Sequence, residues 1–402
     1  MKRVVIVAAK RTPFGRFLGS LRSQSPSDLA AAAGEATLSR IDRSQVDQVI
    51  LGNILGTGHG MNIARQVALR LKLPIKTSAT TLNMMCGSGM QAAMFAVNAI
   101  RSGESNVVLA GGTESMSQAP LFVPRPGKKQ APDFTAIADT MQSDGLIDPE
   151  SGQHMGQQVE DLAGEFQISR GQQDGYALRS QRLYQEASRR GAFADEVVVL
   201  PNASIDEHPR PEVTEQDLRQ LKPVFRDDGS ITAGNASGIN DGAAMVLLAE
   251  RQFALDQQWP ILAEWHHGIA VGCDPSRMGL GPVHAVSALL EKAKLDWTGI
   301  DTLEINEAFA AQTLACLRGL DLQGGLSDDC QQVRTPSGHE LTFNGDGGAI
   351  AVGHPLSASG ARLLVHLCWK IHRGESNRAI GSLCVGGGQG IAACLTRHHE
   401  ER

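Results

Sequence analysis

An excess of positive charge is missing from this chain. Lys and Arg number 37 against 43 Asp and Glu, a formal charge of −6. General nucleic-acid binding needs a basic face, so that function class is set aside. A phosphorylated ligand needs only a local positive site and stays open. Paired cysteines are missing too. The 7 cysteines are odd in number and scattered, with no CxxC pair. This argues against a disulfide framework and a zinc site, and it fits a reduced, cytoplasmic setting. No apolar run approaches the length of a membrane span. The short run at residues 4–9 is too brief for a signal-peptide core and reads as a buried strand. Aromatic residues are sparse, with 2 tyrosines, while glycines number 44. Small residues at that density suggest close-packed helices and many tight turns.

What is present is an alternation of strands and helices. At 402 residues the chain exceeds one small core, so two domains or a duplicated unit is expected. Strands are read at residues 4–9, 46–51, 79–83 and 107–110, the last closed by Gly111-Gly112. Helices are read at 28–39, with Ser27 or Asp28 as cap, at 63–73, ended by Pro74, and at 90–100. This pattern predicts a mostly parallel sheet covered on both faces. From residue 116 to 223 prolines, charges and polar residues rise, which reads as a long excursion from the sheet. Lys128-Lys129 within it reads as a solvated loop tip. The sheet pattern then returns. Residues 243–249 form an apolar run; strands are expected at 261–265, 302–305 and 379–385, and helices at 282–294 and 357–373. Residues 319–343 read as polar and irregular, and Gly386-Gly387-Gly388-Gln389-Gly390 closes the core.

The chain carries an internal repeat. Gly103-Glu104-Ser105-Asn106 matches Gly374-Glu375-Ser376-Asn377. The same register sets Cys86-Gly87-Ser88-Gly89 opposite Ser357-Ala358-Ser359-Gly360, and Thr113 opposite Cys384. A duplicated α/β unit related by a two-fold axis would bring Cys86 near His354 and Cys384.

Several residues then become candidates for chemistry. Cys86 lies between an apolar approach and a helix start, where the helix dipole favours a thiolate; the alternative is a small buried hydrophobe. His354, between Gly353 and Pro355, is a candidate base titrating near neutral pH, or a structural loop histidine. Cys384 ends an apolar strand before three glycines, whose N–H groups are open to a ligand; it could equally be a packed strand cysteine. Asn306 follows a strand and either polarises an oxygen or caps the next helix.

Taken together, the motifs resemble the thiolase family. The matching stretches are Lys10-Arg11-Thr12-Pro13-Phe14-Gly15, Asn83-Met84-Met85-Cys86-Gly87-Ser88-Gly89, Gly111-Gly112-Thr113-Glu114-Ser115-Met116-Ser117 and Gly234-Asn235-Ala236-Ser237-Gly238. Further along they are Asn306-Glu307-Ala308-Phe309, Gly348-Ala349-Ile350-Ala351-Val352-Gly353-His354-Pro355 and Cys384-Val385-Gly386-Gly387-Gly388-Gln389-Gly390. The resemblance implies an α/β duplicated fold, with two mixed β-sheets and helices in a five-layer α-β-α-β-α arrangement plus an inserted loop domain. The first half would span 1–117 and 231–260, the insertion 118–230 and the second half 261–402.

The resemblance also implies acyl transfer between coenzyme A thioesters, with Cys86 as acyl carrier, His354 activating it and Cys384 moving protons at the carbon nucleophile. N–H groups of Cys86 and Gly386 would form one oxyanion hole, and Asn306 (through a water) with His354 the other. Ser237 and Arg210 match coenzyme A contacts, and His154, Met155 and Phe309 match the substrate pocket. No metal or other cofactor is implied, the coenzyme A thioesters being substrates. The expected partners are small acyl-CoA molecules, with no nucleic acid and no membrane, in a homo-oligomer, dimer or tetramer. The leading expectation is an acetyl-CoA acetyltransferase. The alternatives are a degradative 3-ketoacyl-CoA thiolase of broader chain length, a decarboxylating ketoacyl synthase, and a non-catalytic acyl-CoA-binding protein. Three departures stand out. Ser357 and Asp346 occupy positions where the family usually has glycine and asparagine, and 321–343 reads as longer than the usual connection.

Overall fold

A computed structural model describes residues 2–325 and 331–398. Its first half contains strands β1 (Val4–Arg11), β2 (Gln48–Gly52), β3 (Ser78–Leu82), β4 (Val107–Ser115) and β5 (Asn240–Glu250). Helices α1 (Pro26–Thr37), α2 (Ile63–Arg70) and α3 (Ser88–Ser102) connect them. Between β4 and β5 the chain makes its excursion, built on α4 (Met155–Glu165) and α5 (Arg170–Arg189). The second half contains β6 (Ala263–Gly272), β7 (Thr302–Ile305), β8 (Glu340–Phe343), β9 (Arg378–Val385) and β10 (Gln389–Thr396). Its helices are α6 (Gly281–Ala293), α7 (Ala310–Gly319) and α8 (Ser359–His372).

The two halves repeat one topology. The first sheet runs β3-β2-β4-β5-β1 and the second β8-β7-β9-β10-β6. In each, the first three strands are parallel and the last two antiparallel. The sheets meet at a short seam, where Val5 and Ile6 of β1 pair with Glu264 and Ala263 of β6. The duplication extends to single hydrogen bonds. Asp47 accepts from the N–H groups of Asn106 and Val107, and Asp301 accepts from those of Asn377 and Arg378.

Strand alternation builds the layers. Val108 and Val246 face inward to a core shared with Met90 and Val97 of α3, Leu363 and Leu367 of α8, and Leu383 of β9. Leu109 and Leu247 face outward onto Leu29 and Ala33 of α1 and Val67 of α2. On the far side, Ile305 and Ile380 pack on Val286 and Leu289 of α6 and Leu314 of α7. Five layers result, with α3 and α8 in the middle. Those two helices cross at glycine. A Cβ on Gly89 would lie 2.6 Å from the Ser357 carbonyl oxygen, and one on Gly360 2.8 Å from the Met90 nitrogen. Because the crossing brings the N-terminal ends of α3 and α8 together, Cys86 and the His354 segment are neighbours.

Several local expectations change. Strand β4 does not close at Gly111-Gly112. A Cβ on Gly112 would fall 1.9 Å from Ser357 O, so this glycine marks a close backbone approach inside a strand, not a turn. Helix α1 is capped by Ser25, with Asp28 completing a capping box and Pro26 in the first turn. The core does not end at Gly390, because β10 returns along β9 after a turn with positive φ at Gly387 and Gly388. Residues 319–343, read as irregular, include Gln323–Gly324, Gln332–Arg334 and β8, which extend the second sheet; 326–330 of that stretch lie outside the described residues. Among the described residues no helix is long and apolar enough to cross a membrane.

Candidate active site

Cys86 stands on a tight elbow between β3 and α3. Met85 before it takes a left-handed φ of 46°. Ser88 Oγ fixes the turn, accepting from Met84 N at 2.8 Å and donating to Met85 O at 2.6 Å. The thiol is buried, and burial pushes its pKa up to about 12, against the pull of the N–H groups of Cys86 itself and Gly386. The expectation that the helix terminus holds a resting thiolate is therefore corrected. Desolvation outweighs the dipole here, and α3 begins only at Ser88.

His354 is aimed from both sides. Its N–H donates to Asn240 Oδ1 at 2.9 Å, and Gly353 before it has a φ of +104°. Ser359 Oγ donates to Pro355 O at 3.0 Å and lies 2.6 Å from His354 Nδ1. With its hydroxyl proton committed, Ser359 accepts from Nδ1–H, which leaves Nε2 as the free lone pair. Burial, followed by the charge of Arg362, lowers the imidazole pKa to about 3. The ring is thus neutral at rest and does not titrate near neutral pH as expected. Asn306 Nδ2 lies 3.5 Å from His354 Nε2, while Asn306 Oδ1 is buried with no hydrogen-bond partner among the described residues. Asn306 does not cap the next helix, since α7 starts at Ala310 with Phe309 as its cap.

Cys384 closes β9 beside Gly386. Burial, followed by the nearby Cys86, pushes its thiol far above the usual range. Cys86, His354, Cys384 and Gly386 line one cavity of about 710 Å³ together with His154, Met155, Arg210, Ser237 and Phe309. Of the catalytic and substrate-contacting residues expected from the sequence, Asn306 alone is off that wall, next to His354. The rim is polar and partly exposed, with Arg16, Glu207 and Arg210, while the inner wall is apolar, with Met116, Leu146, Met278 and Leu356. His154 caps α4 by accepting from Gly156 N at 3.0 Å, so its proton sits on Nε2. Its ring lies 4.6 Å from that of Phe225, which meets Phe309 edge-on.

Sequence reasoning missed Ser359, Asn240 and Phe225, whose placement depends on contacts between distant segments. Asp346, the unusual acid, is fully accommodated. It is buried against Lys370 at 2.7 Å and His366 at 3.0 Å and also pairs with Arg190.

A duplicated five-layer α/β fold in which two cysteines and a histidine meet on one cavity is the arrangement of an acyl-transfer enzyme. The thiolase N-terminal domain model matches residues 4–252 and the thiolase C-terminal domain model residues 259–397. The chain belongs to the thiolase family and is an acyltransferase. It is 42% identical over 410 residues to an acetyl-CoA acetyltransferase of Pseudomonas aeruginosa, covering 99% of this chain and 100% of the relative. It is 41% identical over 408 residues to the mitochondrial 3-ketoacyl-CoA thiolase of Bos taurus, covering 98% of each. Among solved structures, human mitochondrial 3-ketoacyl-CoA thiolase in complex with CoA superposes with a TM-score of 0.90 at 39% identity, covering 99% of this chain and 98% of that one. The Bacillus anthracis acetyl-CoA acetyltransferase gives a TM-score of 0.90 at 38% identity, covering 99% of both chains.

Proposed function

We propose that this protein is an acetyl-CoA C-acetyltransferase, joining two acetyl-CoA into acetoacetyl-CoA and CoA reversibly. The observation that carries the reading is the convergence of Cys86, His354, Cys384 and Gly386 on one cavity wall. In the first half-reaction His354 Nε2 takes the Cys86 proton and the thiolate attacks the thioester carbonyl. The N–H groups of Cys86 and Gly386 receive the oxyanion. The tetrahedral intermediate collapses and the CoA thiolate leaves, taking its proton from Cys384. In the second half-reaction the Cys384 thiolate removes a proton from the methyl carbon of a second acetyl-CoA. Protonated His354, with a water held by Asn306, stabilises the enolate oxygen; each such donor is worth roughly 3–4 kcal/mol. The carbon attacks acetyl-Cys86, and the released Cys86 thiolate recovers its proton from His354. Atoms and protons balance, and all three side chains return neutral, as their burial requires at rest.

Ser237 and Arg210, on the rim side of the cavity, are assigned to the coenzyme A portion. Met155, Phe309 and His154 are assigned to the acyl end. Phe225 and Met278 crowd that end, which favours a short acyl group. A second reading, a 3-ketoacyl-CoA thiolase of broader chain length, is favoured by the near-equal identity to the bovine relative. We place the enzyme in the cytoplasm as a homodimer or homotetramer, which light scattering distinguishes. The deciding experiment is a chain-length profile of thiolysis. Acetoacetyl-CoA should be the best substrate; a strong preference for long 3-ketoacyl-CoA would overturn the acetyl assignment.

A further inference from the structure

One buried carboxylate at this centre has no part in the chemistry above. Glu114, on β4, is fully buried, and among the described residues no cation pairs with it. Its four hydrogen-bond donors come from both halves of the molecule. Oε1 accepts from Asn53 Nδ2 and Leu55 N, both at 3.0 Å. Oε2 accepts from Ile54 N at 3.3 Å and from Ser357 N at 3.2 Å. Ser357 is three residues beyond His354. Leu55 and Leu356, carried by the two segments that Glu114 grips, pack with Cys86, Met116 and Met141 in one cluster.

The electrostatics argue against a role in activating the thiol. An anion beside Cys86 raises the thiol pKa, so it opposes thiolate formation. Burial also raises the pKa of Glu114 itself, to about 7, despite the donors around it. A packing residue would serve better without charge. What the ionised carboxylate provides is acceptor capacity for four N–H groups from two separate segments, which neither an amide nor an alkyl side chain matches.

We propose that Glu114 is a positioning residue that holds the His354 segment of the second half against Cys86 of the first, through Ser357 N–H on one side and the Ile54 and Leu55 N–H groups on the other. This rests on the reading of Cys86 as the acyl carrier. In Glu114→Gln two of the four donors lose their acceptor and face an NH2 group, so the clamp loosens: replacing Oε2 frees Ser357 N–H directly, and replacing Oε1 leaves the 53–55 segment held through Ile54 N–H alone. Small misplacements of reacting groups cost up to about 100-fold in rate.

The test combines three readouts on the purified full-length protein. Mass spectrometry of the wild type after acetyl-CoA first establishes whether Cys86 is acetylated; if it is not, the functional reading itself fails. With that established, Glu114→Gln should lower kcat by about 10–100-fold with KM within about twofold, while the pH midpoint for iodoacetamide alkylation of Cys86 moves down. A more easily ionised thiol in a slower enzyme is a signature that general destabilisation does not produce. Glu114→Asp keeps the charge but is shorter by one methylene. It should leave the alkylation midpoint in place and still lower kcat. The proposal is overturned if both variants keep kcat within about twofold of wild type. It is also overturned if Glu114→Gln acts only through KM with the alkylation midpoint unmoved. Should Glu114→Gln fail to fold, the kcat of Glu114→Asp decides alone.

Discussion

Replacing His366 by glutamine should make the pH dependence of stability change shape. His366 lies on α8 between two carboxylates, with Nδ1 3.0 Å from Glu196 Oε2 and Nε2 3.0 Å from Asp346 Oδ2. Arg362 and Lys370 share its helix, Phe193 covers its ring, and Arg11 holds the far side of Glu196. Desolvation works against the imidazolium, but the two carboxylates prevail and raise its pKa from 6.5 to about 9. At about 1.4 kcal/mol per pH unit, the charged ring contributes on the order of 3 kcal/mol to folding. A pKa raised in the folded state gives stability that is full below the unfolded value and lost as pH rises through the folded one. The wild type should therefore weaken between pH 6.5 and about 9. Glu196, held down to about 2, has the opposite sign: its contribution is present above 4.5 and lost only as pH falls through about 2, outside this window. His366→Gln removes the cation the two carboxylates share, although Arg11 still pairs with Glu196 and Lys370 with Asp346, so it should cost on the order of 3 kcal/mol at pH 6. That deficit should shrink as pH approaches 9.5. Urea unfolding at fixed protein concentration across this range measures it. A deficit equal at both ends would refute the assignment of a charged His366.

Other substitutions read the site and its frame. Cys86→Ser should abolish the acetyl-enzyme seen by mass spectrometry, whereas Cys384→Ser should still acetylate Cys86 and fail to condense; condensation at the native rate would contradict the roles given. Ser359→Ala removes the acceptor that fixes the His354 tautomer. A loss of about 1 kcal/mol, or about 5-fold in the rate of Cys86 acetylation, is expected in stopped-flow acylation. Gly89→Ala puts a methyl group against the Ser357 carbonyl and Ala361 N. It should destabilise by about 1–3 kcal/mol and slow turnover as well, since both reacting segments begin at that crossing. Thermal unfolding and kcat check the two effects together.

The sequence by itself determined the alternation of elements, the repeat and the short motifs, because these are local. Helix and strand periods, glycine at turns, and the matching Gly-Glu-Ser-Asn stretches are written within a few residues. Even so, glycine was ambiguous. Gly112 read as a turn because backbone permissiveness looks the same whether the chain bends or another backbone comes close; only the approach of Ser357 decides between them. Likewise β10 was hidden behind the glycine run that turns the chain into it.

The motif set also named Cys86, His354 and Cys384, but not their state. A dipole at a helix start is local and suggested a thiolate. Desolvation depends on everything packed around the sulfur, and it reverses that conclusion, leaving Cys86, His354 and Cys384 neutral at rest. The tautomer of His354, the orphaned Oδ1 of Asn306, the pairing of Asp346 with Lys370 and His366, and the grip of Glu114 on both halves arise from residues distant in sequence. Composition and spacing carry no distance between such residues, so only the tertiary structure could decide them.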